Sequence, residues 1–266
     1  MDDLSLPPFT GKKNLGGRTI LITRPQLEAQ ETAHEVLAWQ GHPLLAPALV
    51  IEPLFETPSW RAAIANLEHY IGIILTSANG ARALLDLCGH HLERIQNTPL
   101  FCVGPKTAAI FSAVGLTPFT PKEATDAVQL AELILLMQSD KKGRMLFLRA
   151  QEGRDTLVER LLQAGLQIDL VTAYQARPFG PQPEWVIDQL QQKKIDAVTF
   201  FSTRSAECFI DALDNKSLLK NTILAALSPG IADKLNQMGF PAAIVAAKPT
   251  SGDLLYALAD FWYHHT

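Results

Sequence analysis

Short apolar runs rich in β-branched residues alternate along this chain with segments whose apolar positions recur at helical spacing. Thr19-Ile-Leu-Ile-Thr23 leads into a helical segment from about Pro25 to Gln40, closed by Gly41. Ile71-Gly-Ile-Ile-Leu-Thr76 precedes a segment in which Ala81, Leu84, Leu85 and Cys88 fall at i, i+3, i+4 and i+7, one face of a helix. Leu100-Phe-Cys-Val103 leads into a helix ending near Gly115, and a further helix spans about Asp126 to Gln138. Met145-Leu-Phe-Leu148 is followed by a helix with Leu157, Val158, Leu161 and Leu162 on one side, ended by Gly165. Ala197-Val-Thr-Phe-Phe201, Thr222-Ile-Leu-Ala-Ala226 and Ala242-Ala-Ile-Val245 each precede another helix, the last from about Ser251 to His264. Nearly continuous apolar strands between helices are the mark of parallel sheets covered on both faces. The expected class is α/β, with three-layer α/β/α packing.

The pattern repeats at one offset. Ser77 in Ile-Leu-Thr-Ser-Ala-Asn-Gly-Ala and Ser202 in Phe-Phe-Ser-Thr-Arg-Ser-Ala lie 125 residues apart. Pro105 in Val-Gly-Pro-Lys-Thr-Ala and Pro229 in Leu-Ser-Pro-Gly-Ile-Ala lie 124 apart. Arg24 and Gly41 lie 125 and 124 residues before Arg149 and Gly165. Three agreeing offsets predict two related lobes. Residues 43–53, with three prolines that exclude a helix, and the β-prone residues 167–178 fit neither lobe. They read as a pair of extended connectors. One lobe is then discontinuous, made of residues 1–42 and 179–266, and the other is residues 54–166.

At 266 residues the length prior is also two domains. A hydrophobic share of 47% supplies ample core and excludes global disorder. The formal charge of −4 lacks the basic excess of a nucleic-acid binder, though a small anion needs only a local field. Three dispersed cysteines, Cys88, Cys102 and Cys208, support neither a disulfide framework nor a zinc ribbon, and read as free thiols in a reducing compartment. The opening MDDLSLPPFTGKKNLG has no apolar core of a secretory signal, and no apolar run approaches a membrane span. A cytoplasmic protein, with a lean towards monomer, is expected.

The familiar catalytic signatures are missing: no G-x-G-x-x-G after a strand, no P-loop, no G-x-S-x-G and no H-E-x-x-H. His90-His91 and His264-His265 have no second ligand cluster and read as surface histidines. What remains is a set of small polar side chains at strand-to-helix turns: Thr23, Thr76, Ser77, Asn79, Thr107, Ser202, Ser205 and Ser228. Each of them also suits a helix N-cap. Taken together on facing lobes, such turns would line a cleft that holds a polyanion by backbone N–H groups and helix dipoles. Arg24, Lys106, Arg149 and Arg204 stand beside the same turns and would add charge, unless they are simply solvated. Tyr174 on the second connector is either a packing tyrosine or a residue facing the cleft.

At these residues the chain resembles the uroporphyrinogen-III synthase family. The matching pieces are Thr19-Ile-Leu-Ile-Thr-Arg-Pro25, Ile-Leu-Thr-Ser-Ala-Asn-Gly-Ala81, Val-Gly-Pro-Lys-Thr-Ala108, Met-Leu-Phe-Leu-Arg149, Tyr174 and Phe-Phe-Ser-Thr-Arg-Ser205. No single piece is specific; their order from about residue 18 to the C-terminus is. The resemblance implies two lobes joined by a two-stranded β-connector, with the site between them and no metal or organic cofactor. It implies the cyclisation of the linear tetrapyrrole hydroxymethylbilane, an octacarboxylate, with loss of water and inversion of ring D through a spiro intermediate. It also implies roles: Tyr174 as general acid, Thr107 as a substrate-contacting hydroxyl, and Ser77 and Ser202 as their neighbours. Arg24, Thr76, Asn79, Lys106, Ser205 and Ser228 complete the expected substrate-binding set. One departure is Ile231, where the second-lobe counterpart of Thr107 cannot donate a hydrogen bond. The other functional class that fits is a non-catalytic, hinged two-lobed binder of a small polyanion.

Overall fold

The computed structural model describes residues 14–55, 57–89, 91–122, 126–138, 142–151, 156–241 and 244–265. Most of the N-terminal segment read above against a secretory signal, together with His90 and Ala242-Ala243, lies outside them. The chain divides into two compact units, Met1–Val50 with Arg177–Thr266 and Ile51–Ala176. The first unit opens with β1 (Thr19–Ile22), α1 (Gln26–Ala38) and β2 (His42–Leu45), and β3 (Leu49–Pro53) carries the chain into the second. There follow α2 (Pro58–Ala65), β4 (Gly72–Leu75), α3 (Ala78–Cys88), β5 (Leu100–Cys102), α4 (Pro105–Ser112) and α5 (Ala127–Gln138). Next come β6 (Arg144–Ala150), α6 (Thr156–Gln163) and the long β7 (Gln167–Pro178), which leads back to the first unit. That unit is completed by α7 (Glu184–Gln191), β8 (Ala197–Phe200), α8 (Thr203–Asp211), β9 (Ile223–Ala226), α9 (Pro229–Gln237), β10 (Ile244–Val245) and α10 (Ser251–His265).

The first unit holds a parallel sheet in the order β10-β9-β8-β1-β2. Its strands alternate between two dry faces, as the near-continuous apolar runs require. Leu21, Val198, Phe200, Leu224 and Ala226 pack on α7, α8 and α9, while Ile20, Ile22, Ala197, Ala225 and Ile244 pack on α1 and α10. Two buried threonines close the seam between β1 and β8. Thr23 donates its hydroxyl to the Thr199 carbonyl at 2.8 Å, and Thr199 donates to Leu21 at 3.1 Å.

The second unit's sheet runs β3-β7-β6-β4-β5, parallel from β7 to β5. Ile73, Leu75, Cys102, Leu146 and Leu148 face α2, α3 and α4; Ile74, Phe101, Met145 and Phe147 face α5 and α6. The edge strand β3 lies antiparallel on β7. Leu54 N–H bonds Ala173 and Phe179 N–H bonds Ala48, so partner numbers fall on one strand as they rise on the other. Strand for strand, β7-β6-β4-β5 repeats β2-β1-β8-β9, and Phe119 bridges parallel to Phe101 where β10 stands in the first sheet. The units therefore share one doubly wound topology, entered at different points of the chain. In each, the winding direction reverses between two neighbouring strands: β1 and β8 in one, β6 and β4 in the other.

The segments read from the sequence as connectors outside both lobes belong to the sheets for most of their length. Residues 42–45 are the edge strand of the first sheet, where Pro43 is tolerated because an edge leaves one side of the strand without a ladder. Residues 167–178 sit inside the second sheet, between β3 and β6. Of the three cysteines, Cys88 and Cys102 are buried and Cys208 is half-buried, all as free thiols. Among the described residues, no helix is long and apolar enough to cross a membrane.

Where β6 and β7 begin, Asp169 accepts hydrogen bonds from the Tyr70 hydroxyl at 2.9 Å and from Arg144 Nε at 2.8 Å. The Arg144 hydrogen bonds hold the Asp169 carboxyl below the usual carboxylate range, against some opposing burial. Burial, followed by the bond to Asp169, pushes the Tyr70 phenol up to about 12. For Asp169 the folded value lies below the unfolded one, so its stabilisation is present above about pH 4 and is lost as pH falls through the folded value. Asp169→Asn should therefore be less stable than wild type in urea at pH 7, with the gap narrowing as pH falls below about 4. A gap that stays constant across that range would contradict the ion-pair account.

Candidate active site

In open parallel sheets, ligands bind beyond the carboxyl ends of the strands, where the winding reverses. In the second unit that place is the turn from β4 into α3. Ser77 is the N-cap of α3, extended at φ −151°, and its Oγ accepts the Gly80 N–H at 3.0 Å. Gly80 sits in a tight place: a Cβ there would stand 3.3 Å from both the Leu148 carbonyl oxygen and Ser77 Oγ. The first turn of α3 is thereby seated close against the end of β6.

Tyr174 reaches the same serine, donating its hydroxyl to Ser77 Oγ at 2.9 Å. A break in strand alternation makes this contact. Along β7, Arg149 pairs with Thr172 but Ala150 pairs with Tyr174, so one extra residue is inserted at Ala173. Beyond such a bulge the faces exchange. Ala173 and Tyr174, consecutive residues, accordingly both pack in the cluster beneath α2, α3 and α4. A serine hydroxyl offers two acceptor positions and one donor. Gly80 and Tyr174 both donate to Ser77 Oγ, which leaves the serine proton available for a further acceptor.

The remaining second-unit candidates separate by exposure. Thr76 and Asn79 are half-buried at the same turn, and Asn79 Oδ1 accepts Arg82 at 2.9 Å. Lys106 is exposed on the first turn of α4. Thr107, read as a substrate-contacting hydroxyl, is 4% exposed, turned into the unit with Phe111. Ile231 occupies the matching position of α9 and is likewise buried, at 5%. Its departure from threonine therefore changes an inward-packed residue. The polar side chains left at these turns are the exposed Lys106 at α4 and, at α9, the half-buried Ser228, which makes no capping bond.

In the first unit, Ser202 caps α8 in a reciprocal box. Its Oγ accepts Ser205 N–H at 3.0 Å while Ser205 Oγ accepts Ser202 N–H at 3.2 Å. Ser205 is 2% exposed, so its hydroxyl serves the cap. Arg24, at the end of β1, lies with its guanidinium carbon 4.5 Å from the ring centre of Phe201, the residue after β8. Arg24 also donates to the Thr32 hydroxyl at 3.1 Å. Burial draws the Arg24 pKa down while Glu28, Glu31 and Glu35 draw it up. Two elements were not singled out from the sequence: Phe201, whose only signal is an aromatic at a strand end, and the bulge at Ala173, which periodicity cannot show.

The sequence profile of the uroporphyrinogen-III synthase HemD family matches residues 30–256, most of the chain, with all of the second unit and part of the first. The chain belongs to the uroporphyrinogen-III synthase family. Among its relatives, the uroporphyrinogen-III synthase of Chlorobaculum parvum is 25% identical over 234 residues, covering 86% of this chain and 92% of that protein. The uroporphyrinogen-III synthase of Synechococcus elongatus is 24% identical over 262 residues, covering 94% of this chain and 97% of its own. The fold matches a solved uroporphyrinogen-III synthetase from Helicobacter pylori at TM-score 0.61 and 19% identity, over 94% of this chain and all (100%) of that one. A mutant uroporphyrinogen III synthase from Thermus thermophilus matches at TM-score 0.56 and 16% identity, over 93% of this chain and 99% of that one. Membership in the uroporphyrinogen-III synthase family makes the chain an enzyme acting on a small molecule, and the turns above are where its chemistry is sought.

Proposed function

We propose that this chain converts hydroxymethylbilane to uroporphyrinogen III, with loss of water and inversion of ring D, using no metal or organic cofactor. The observation that carries this reading is the Tyr174–Ser77 hydrogen bond at the carboxyl end of the second unit's sheet. The reaction begins when the hydroxymethyl oxygen on ring A leaves as water, which requires a proton at that oxygen. Ser77 holds the outermost proton of the pair. As Ser77 gives it to the leaving oxygen, Tyr174 passes its own to Ser77, so the serine stays neutral and the negative charge rests on the Tyr174 phenolate. Cleavage of the carbon–oxygen bond leaves an azafulvene cation, and the substituted α-carbon of ring D attacks it to form the spiro intermediate. Fragmentation and re-closure release a proton, which restores Tyr174.

Selection of the inverted isomer is a problem of conformation. A flexible octacarboxylate closes unaided to the uninverted product, so the enzyme must hold one folded form while water leaves. Four helix N-termini that follow sheet strands suit carboxylates through their unpaired N–H groups and dipoles. They begin α3, α4, α8 and α9, with Lys106, Arg24, Ser202 and Ser228 nearby. The same reading has the chain acting as a cytoplasmic monomer on a small anion, with no nucleic-acid or membrane partner; its −4 charge and the absence of a basic excess support it. A non-catalytic binder of polyanions leaves the Tyr174–Ser77 proton path without a task.

The test supplies freshly made hydroxymethylbilane to protein dialysed against a chelator and desalted. Substrate should disappear well above the no-enzyme rate with nothing added back. Activity that returns only on addition of a metal or of a small-molecule extract would overturn the cofactor-free part.

A further inference from the structure

Arg24 and Phe201 form a second arrangement at a winding reversal, this one between β1 and β8 of the first unit. The Arg24 guanidinium stands 4.5 Å above the Phe201 ring, within cation–π range. One of its nitrogens is tied to the Thr32 hydroxyl at 3.1 Å, and Thr32 in turn donates to the Glu28 carbonyl one helical turn earlier. The plane of the guanidinium is thus fixed from two sides, by a ring and by a hydroxyl on α1. Charge from Glu28, Glu31 and Glu35 also acts on the group, with Glu35 engaged by the Ser251 hydroxyl at 2.8 Å. Phe201 itself is half-buried, at the rim of the cluster under α1 and α10. A ring in that position contributes less to the core than the fully buried Phe200 beside it.

We propose that Phe201 is a positioning residue for substrate recognition, holding Arg24 so that the in-plane N–H edge of its guanidinium grips one substrate carboxylate. An arginine with five fixed donors recognises a carboxylate best when two of them lie parallel, and stacking on a ring face preserves that geometry without using a donor. Losing the ring frees the side chain to sample rotamers, which weakens binding while leaving the proton-transfer pair in the other unit unchanged. The inference rests on the synthase reading.

The experiment is a double-mutant cycle on KM and kcat for hydroxymethylbilane, using Phe201→Leu, Phe201→Trp, Arg24→Gln and the Phe201→Leu/Arg24→Gln pair. Phe201→Leu should raise KM about three- to thirtyfold with kcat within about twofold. Phe201→Trp, which keeps a π face, should hold KM near wild type and shows that a folding defect is not the cause. In the Arg24→Gln background the leucine substitution should add nothing further. An unchanged KM in Phe201→Leu, or an equal rise with and without Arg24, would overturn the proposal. A wild-type protein that makes no type III isomer removes the synthase reading and this inference with it, whereas unchanged variants of an active wild type remove only the inference.

Discussion

Tyr174→Phe should slow formation of the macrocycle about a hundredfold, the low end of what a positioned general acid contributes. The substitution removes one oxygen and keeps the ring that packs with Val171 and Ala173 beneath α3. Its folding cost is that of one hydrogen bond, about 1 kcal/mol. Ser77 would lose the donor that replenishes it while keeping its bond from the Gly80 N–H. Turnover should therefore fall with little change in KM or in the unfolding midpoint. Single-turnover consumption of hydroxymethylbilane, read beside a urea titration, separates the two effects. A rate equal to wild type would take Tyr174 out of the acid role and leave conformational control as the sole source of catalysis.

The largest expected effect on stability comes from Phe200→Ala in the first unit. Phe200 is fully buried on β8, and its ring meets Phe209 of α8 edge-on at 5.8 Å and 66°. The pair joins sheet to helix within the cluster that also holds Leu21, Val198, Leu224 and Leu235. Removing so large a ring leaves a cavity that packed strands and helices close only in part. The cost should be about 3–5 kcal/mol, including the edge-to-face contact, itself worth about 1 kcal/mol. Denaturant unfolding followed by circular dichroism measures it. A loss under about 1 kcal/mol would mean the site collapses freely and the core is not packed as described. The neighbouring Phe201→Leu should cost far less, which keeps positioning and core packing experimentally distinct.

Strands and helices were legible wherever burial on both faces made the apolar runs continuous. Ile71–Thr76 contains β4, and Met145–Leu148 lies within β6. Helix ends were legible where a glycine closes the preceding helix: Gly115 and Gly165 both sit at positive φ, at 83° and 85°. The repeat offset carried the matching strand orders of the two sheets, because equivalent residues occupy equivalent turns. Ser77 and Ser202, 125 apart, are both N-caps at φ near −150°.

Other features were out of reach of pattern reading. Residues 42–45 carry a proline and half-polar neighbours, so they resemble a linker, and only pairing with β1 makes them a strand. The face of Tyr174 depends on one inserted residue in β7, and strict alternation places its ring on the wrong side of the sheet. Thr107 looked like a surface hydroxyl because threonine favours caps, yet its place in the first turn of α4 points inward, as Ile231 shows at the equivalent turn. Residue type suggested chemistry in each case, while the direction of the side chain was set by tertiary packing.

The most direct test of the account is the isomer composition of the product. Purified protein is given fresh hydroxymethylbilane, the product is oxidised to porphyrin, and the type I and type III isomers are separated by chromatography. Predominantly type III porphyrin, rising with enzyme concentration at the expense of type I, is the predicted result. Type I alone, formed at the rate seen without protein, would contradict it.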